Sequence, residues 1–183
     1  MKKSVFNDDL FRYYGEHGEN IKNRIFRPIE IKYLYAFRKA QESSNFITKI
    51  YFKLKLRRLS LKSHIQIPAS TKIGKGFYIG HSGRIIINPM AVLGENINIA
   101  TGVTIGQENR GERKGVPTIG NNCWIGTNAV IVGKIKIGTD VLIAPLSFVN
   151  FDVPDHSIVI GNPAKVIHRD NATEGYINNT VHS

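Results

Sequence analysis

From Ile67 onward an aliphatic residue returns every six positions. The first run is Ile67, Ile73, Ile79 and Ile85. After a two-residue slip come Ile87, Leu93, Ile99 and Ile105. An interruption follows, then Ile119, Ile125, Ile131, Ile137, Ile143 and Val149. The position after each anchor is often Gly or Ala, as at Gly74, Gly94, Gly120, Gly126 and Ala144. A period of six fits neither an amphipathic helix at 3.6 nor a hairpin strand at two. It fits a mainly β fold, a parallel β-helix in which three hexads make one triangular coil. The anchors point inward and stack coil on coil at about 4.8 Å, and small second residues let the chain turn.

Residues 107–118 break the pattern with charge and glycine and no anchor in phase. They read as a loop extruded from one corner, where function often resides. Residues 1–62 form a separate helical region. Helices are expected over Pro28–Gln41 and Asn45–Lys62, with Pro28 suited to a first turn. The β-helix takes 63–150. A C-terminal segment, 151–183, leaves the repeat, and its polar end after Asp170 is expected to be mobile.

The chain has 183 residues, 42% hydrophobic and 21% charged, and a formal net charge of +11. That describes a globular chain with a real core. No apolar run is long enough to span a bilayer, and the start lacks a signal-peptide core. The single cysteine, Cys123, excludes an intrachain disulfide and a multi-cysteine zinc site. A cytoplasmic location fits. The positive charge is local: residues 22–62 hold 12 Lys and Arg against 2 acids.

The run KIGKGFYIGHSGRIIINPMAVLGENINIATGVTIGQ, the extruded loop, IGNNCWIGTNAVIVGKIKIG and the closing GNPAKVI resemble the hexapeptide-repeat acetyltransferases. The nearest branch resembles serine acetyltransferase and the enzymes that O-acetylate surface sugars. The resemblance implies a left-handed β-helix, a homotrimer with its clefts between subunits, and acetyl-CoA as donor. It makes His81 the general base, an imidazole that takes a proton from an alcohol near neutral pH. It puts Gly126, Thr127, Ala144 and Pro145 along the pantetheine arm and Lys165 near a nucleotide phosphate. Three departures stand out. Gly80 replaces the Asp that precedes the histidine in serine acetyltransferases. Gln66 falls where an orienting Asp is expected. The loop carries Arg110, Arg113 and Lys114 but no histidine. These changes favour a sugar or surface polysaccharide as acceptor, with serine as the alternative. Arg84 could reach an acidic sugar and Asn88 could bond the acceptor. Cys123 should face the core, which favours direct transfer without an acyl-enzyme. Trp124 is expected at a corner or a subunit contact.

Other classes fare less well. A zinc carbonic anhydrase needs three converging histidines, and only His81 lies in the repeat body; no metal is expected. A non-enzymatic basic scaffold is the competing class. No nucleic-acid motif is present and no such partner is expected. The stretch with Lys49, Lys53, Lys55, Arg57, Arg58 and Lys62 among Phe46, Ile47, Tyr51 and Phe52 suits a helix packed under the β-helix with its lysines in water. Its second reading is peripheral contact with an anionic membrane.

Overall fold

The computed structural model describes residues 4–18, 20 and 25–181. The chain start at Met1–Lys3, Lys22 and Arg24 of the basic segment, and His182 lie outside the described residues. The body is a parallel β-solenoid of short strands with three faces. The first face stacks β1 (Ile65–Gln66), β4 (Ile85–Ile87), β7 (Thr104–Gly106), β10 (Val130–Val132) and β13 (Phe148–Val149). The second stacks β2 (Lys72–Ile73), β5 (Val92–Leu93), β8 (Thr118–Ile119) and β11 (Lys136–Ile137). The third stacks β3 (Tyr78–Ile79), β6 (Asn98–Ile99), β9 (Trp124–Ile125), β12 (Val141–Ile143) and β14 (Ser157–Gly161), capped by antiparallel β15 (Ala164–His168).

Every hexad anchor named above is buried. In-register pairs such as Ile79 with Ile99 and Ile99 with Ile125 make continuous aliphatic ladders. Burying each such side chain contributes about 1.5–3 kcal/mol relative to exposure. The small second residues earn their place at the corner between the second and third faces. There a Cβ built on Gly120 would stand 2.6 Å from the Gly138 carbonyl oxygen of the next coil. Gly80, at the corner between the third and first faces, has room: its nearest neighbours would be 3.7 Å away or more.

Among the described residues, three α-helices sit against this body: α1 (Val5–Tyr14), α2 (Ile29–Glu42) and α3 (Phe46–Ser63). The last two start and stop within a residue of the expected spans. Asn45 caps α3, its side-chain oxygen accepting the Thr48 N–H at 3.1 Å. The left-handed conformation of His64, φ 58°, turns the chain into β1. α1 was not foreseen, because only a few apolar residues mark its buried side. A buried ion pair holds α1 to α2. The Arg38 guanidinium donates to both Asp9 oxygens, at 2.7 and 3.0 Å, and to the carbonyls of Ile73 and Gly74. Asp9 also accepts the Phe77 N–H at 2.8 Å. The pair thereby stitches both helices to the first coil.

The C-terminal segment corrects an expectation: its polar end is docked, not mobile. Residues 171–181 return across the third face. Val181 N–H donates to the Asn96 side chain at 2.9 Å, and the Asn96 side chain donates back to the Val181 carbonyl at 3.0 Å. Asn98 donates to the Tyr176 carbonyl at 3.1 Å. Polar composition suggested a solvated tail, but outward-facing asparagines on the solenoid supply the partners.

Gly120→Ala should lower stability by about 1–3 kcal/mol, the usual cost of overpacking, because backbone lies where the methyl must go. Gly80→Ala should be close to neutral. Paired thermal melts check both.

Candidate active site

The outward residues of the third face are large: Tyr78, Asn98 and Trp124 follow one another in register. Those of the second face include Lys72 and Lys136, which stand in water. The third face is covered by the protein's own chain. From α1, Arg12 donates to Asn98 Oδ1 at 2.6 Å, to the Gly76 carbonyl at 2.9 Å and to the Asn178 carbonyl at 2.8 Å. Burial brings this guanidinium down to about 10. The Tyr13 hydroxyl donates to the Ile79 carbonyl and accepts the Ile79 N–H, each at 2.9 Å; burial raises its pKa. The Tyr13 ring lies 4.4 Å from Tyr78, centroid to centroid, and Tyr176 of the returning tail lies 4.9 Å from Trp124. Trp124 is therefore on a strand beneath the tail, not at a corner.

Between these walls is a cleft of about 520 Å3 that includes Gly80, His81, Ala100 and Thr127. His81 is exposed at its edge, and its corner is longer than those above it. Eight residues separate Ile79 from Ile87, where six separate Ile99 from Ile105. The slip in the hexad pattern is this corner. Two contacts hold it. The Glu30 carboxylate, from the first turn of α2, accepts the Ser82 N–H, and Thr101 Oγ1 donates to the Ser82 carbonyl at 3.3 Å. Among the described residues no side chain is hydrogen-bonded to the His81 ring.

The other expected site residues divide. Thr127 shares the cleft with His81. Gly126 is needed for space, since a Cβ there would sit 2.6 Å from the Pro145 nitrogen. Ala144 donates its N–H to the Val159 carbonyl at 2.8 Å, and Pro145 is exposed at the same corner one coil on. Lys165 is exposed on the β14–β15 hairpin, paired with Ile160. Gln66, Arg84 and Asn88 do not line the cleft. Gln66 faces a groove beside α3 with Leu56 and Pro68. The Asn88 side chain accepts the Met90 N–H at 2.9 Å and so shapes a turn. Arg84 is exposed beyond Gly83. Cys123 is fully buried, and burial pushes its thiol up to about 12. The extruded loop is folded on Gly133 and Lys134: Lys134 N–H donates to the Arg113 carbonyl at 2.8 Å, and Glu108 bridges to Gly115. It leaves between the first and second faces, so it stands at a different corner from His81. Among the described residues no three His, Cys, Asp or Glu side chains group as metal ligands.

Arg12, Tyr13, Tyr176 and Glu30 were not anticipated. The aromatic character of Tyr78 and Trp124 beside Lys72 and Lys136 was the available sign that one face is covered.

Residues 117–150 match the family model described as bacterial transferase hexapeptide, six repeats. Serine acetyltransferase 4 of Arabidopsis thaliana is 39% identical over 119 residues, 62% of this chain and 34% of that protein. Serine acetyltransferase 2 of the same plant is 35% identical over 134 residues, 73% of this chain and 42% of that protein. The chain thus spans less than half the length of these two relatives. The structure of Neisseria gonorrhoeae serine acetyltransferase in complex with serine superposes with a TM-score of 0.67 at 28% identity, covering 89% of this chain and 67% of that one.

The tail that walls the cleft is tied down at Asp140. Burial pulls this carboxyl up, but the Thr173 hydroxyl, His156 and the Thr173 and Ala172 N–H groups all donate to it, and together they hold it below the usual value. The same bond, 2.8 Å from His156 Nδ1, raises the His156 pKa. The carboxylate's contribution is present above about pH 4 and is lost as pH falls through its lowered value. The histidine's is full below about pH 6.5 and is lost as pH rises through its raised value. Docking of the tail should therefore be tightest between these limits. Trp124 is the only tryptophan, so its fluorescence reads the Tyr176 contact directly. The signal should change modestly above neutrality and strongly in acid. Asp140→Asn keeps one acceptor oxygen but removes the charge, so it should weaken docking and abolish its acid dependence.

Proposed function

We propose that the protein is an acetyl-CoA-dependent O-acetyltransferase in which His81 is the general base. The observation that carries this is the lengthened corner, which presents an exposed imidazole at the mouth of a cleft shared with Thr127. Acetyl-CoA would supply the activated acetyl group. The third-face corner fits a narrow thioester arm. From the His81 level to the β14–β15 hairpin is four strand spacings, about 19 Å. Gly126, Ala144 and Pro145 keep that edge low, and Lys165 stands at its end, suited to a phosphate. His81 takes the proton of the acceptor hydroxyl as its oxygen attacks the thioester carbonyl. The carbon–sulfur bond then breaks, and the thiol leaves with a proton. Cys123, buried and held protonated, takes no part.

Serine is the acceptor that the relatives support best, ahead of the sugar that the departures alone favoured. The residue at 80 does not hold a carboxylate, yet Glu30 brings one to the same corner beside Ser82. A serine ammonium needs such a charge. The second reading is a saccharide hydroxyl, favoured by Gly80 and by a loop without histidine. The working unit is a homotrimer. The outward ladder of the first face, Ile86, Thr104, Val130 and Phe148, is apolar for a half-open surface and borders the His81 corner.

His81→Ala should cut acetyl transfer by about 10²–10⁴-fold while leaving the melting temperature and acetyl-CoA affinity nearly unchanged. Turnover, melting and coenzyme affinity are measured beside the parent, whose mass by light scattering reads the trimer. Retained turnover would overturn the assignment, and a fully active monomer would overturn the trimer.

The acceptor is read by free thiol released with serine or with a panel of saccharides. Serine should be turned over. Glu30→Gln keeps the oxygen that holds Ser82 and removes the charge, so it should raise KM for serine by about tenfold or more with a smaller effect on kcat. Turnover with saccharide alone, insensitive to Glu30→Gln, would replace serine by the second reading.

A further inference from the structure

Helix α3 has two apolar faces, and the fold uses one. At about 100° per residue, Phe52, Leu56, Leu59 and Ser63 fall on one side. That side packs on the core, with Leu56 only 6% exposed. Phe46, Ile47, Ile50, Tyr51, Leu54 and Leu61 fall within about 140° on the opposite side. They are in water: Phe46 is 75% exposed, Ile47 76%, Leu54 62% and Leu61 74%. A monomeric soluble surface rarely keeps such a stripe bare.

The charges around this stripe are all of one sign. Lys49, Lys53 and Arg57 run along one edge, and Lys55, Arg58 and Lys62 along the other. The helix holds no Asp or Glu. A groove of about 780 Å3 beside the stripe is lined by Leu56, Leu61, Pro68 and Ala69 together with Lys53 and Arg57. Apolar side chains flanked by cations match a surface that is apolar inside and anionic outside. The long Lys and Arg stems can lie along the apolar stripe while their charged ends reach phosphate.

We propose that the outer face of α3 docks on an anionic lipid bilayer, lying in the interface with its axis along the membrane plane. No helix among the described residues is long and apolar enough to cross a membrane, so the contact is peripheral. A second copy of the chain is a poorer occupant. Two α3 helices face to face would set Lys and Arg against Lys and Arg, and every copy brings a net charge of +11. The inference rests on α3 alone and is independent of the acetyl-transfer reading.

The test is co-sedimentation of the full chain with vesicles of phosphatidylcholine alone or of three parts phosphatidylcholine to one part phosphatidylglycerol. The protein should pellet with the anionic vesicles, stay largely in solution with the neutral ones, and be released by salt. The triple variant Lys53→Glu, Arg57→Glu, Arg58→Glu should weaken partitioning by about 100-fold or more. The double variant Ile47→Ser, Leu54→Ser keeps every charge and changes only exposed positions. It should melt like the parent and bind anionic vesicles more weakly, so the test survives if the triple variant fails to fold. A parent protein that stays in solution with anionic vesicles would overturn the proposal. So would variants that bind as the parent does. If the double variant alters the mass by light scattering but not the pelleting, the stripe is a contact between copies, and the proposal fails.

Discussion

A strand of two residues cannot satisfy its own backbone. Each N–H and carbonyl in the solenoid must meet a partner on the next coil, as Asn98 N–H does at Cys123 and Gly120 N–H does at Ile137. Every coil must therefore return to the same three corners in phase. Extra residues can be tolerated only by bulging outward at a corner. The chain does this in two places, the longer His81 corner and the loop at 107–117. The first puts an imidazole where regular corners carry Thr101, Thr127 and Pro145. The ladder beyond it stays low because Gly126 is pinned against Pro145. Regularity in the stack is thus what makes one corner protrude beside a shallow track.

The helices obey a different requirement. Their attachment to the body relies on buried guanidinium groups as well as on apolar area. Arg38 and Arg12 donate to the carbonyls of Ile73, Gly74 and Gly76, along one bend of the first coil. Burying such charges costs several kcal/mol per ion unless every donor is used. Here Asp9 answers Arg38, while Asn98 and the tail carbonyl of Asn178 answer Arg12. The same bonds that hold α1 in place also position Tyr13 and the tail as cleft walls. Two arginines couple the assembly of the fold to the shape of the site.

Much of this was legible in the sequence, for physical reasons. A strict period of six leaves one way to bury the anchors, so faces and core followed from Ile67, Ile73, Ile79 and their successors. Pro28 marked one helix start through its fixed backbone angle, and the stretch Asn45–Lys62 read as a second helix. The site was less legible. Hexad counting gives the height of a residue in the stack and its face, but not what covers it. Gln66 was placed beside His81 by hexad count and Asn88 was offered as a bond to the acceptor, while the structure turns one toward α3 and uses the other to close a turn. Arg12 and Tyr176 reach the cleft across most of the chain, and no local pattern announces such contacts. The tail misled because its polarity resembles that of solvated chain. Its partners, Asn96, Asn98 and Asp140, are outward residues that appear free until the tail is laid on them.

The three faces meet different surroundings, and this explains where chemistry can sit. The second face presents Lys72 and Lys136 to water. The third is sealed by α1 and the tail. The first presents Ile86, Val130 and Phe148, half-buried. His81 stands where the sealed face meets the open apolar one. On one side its own chain supplies Tyr13, Tyr78 and Glu30. On the other side, the extruded loop departs from a different corner. A general base needs a partner group, an acceptor and shelter from bulk water. The described residues of one chain provide one wall of that enclosure. In the homotrimer proposed above, a second copy packed along the ladder of Ile86, Val130 and Phe148 would supply the other wall.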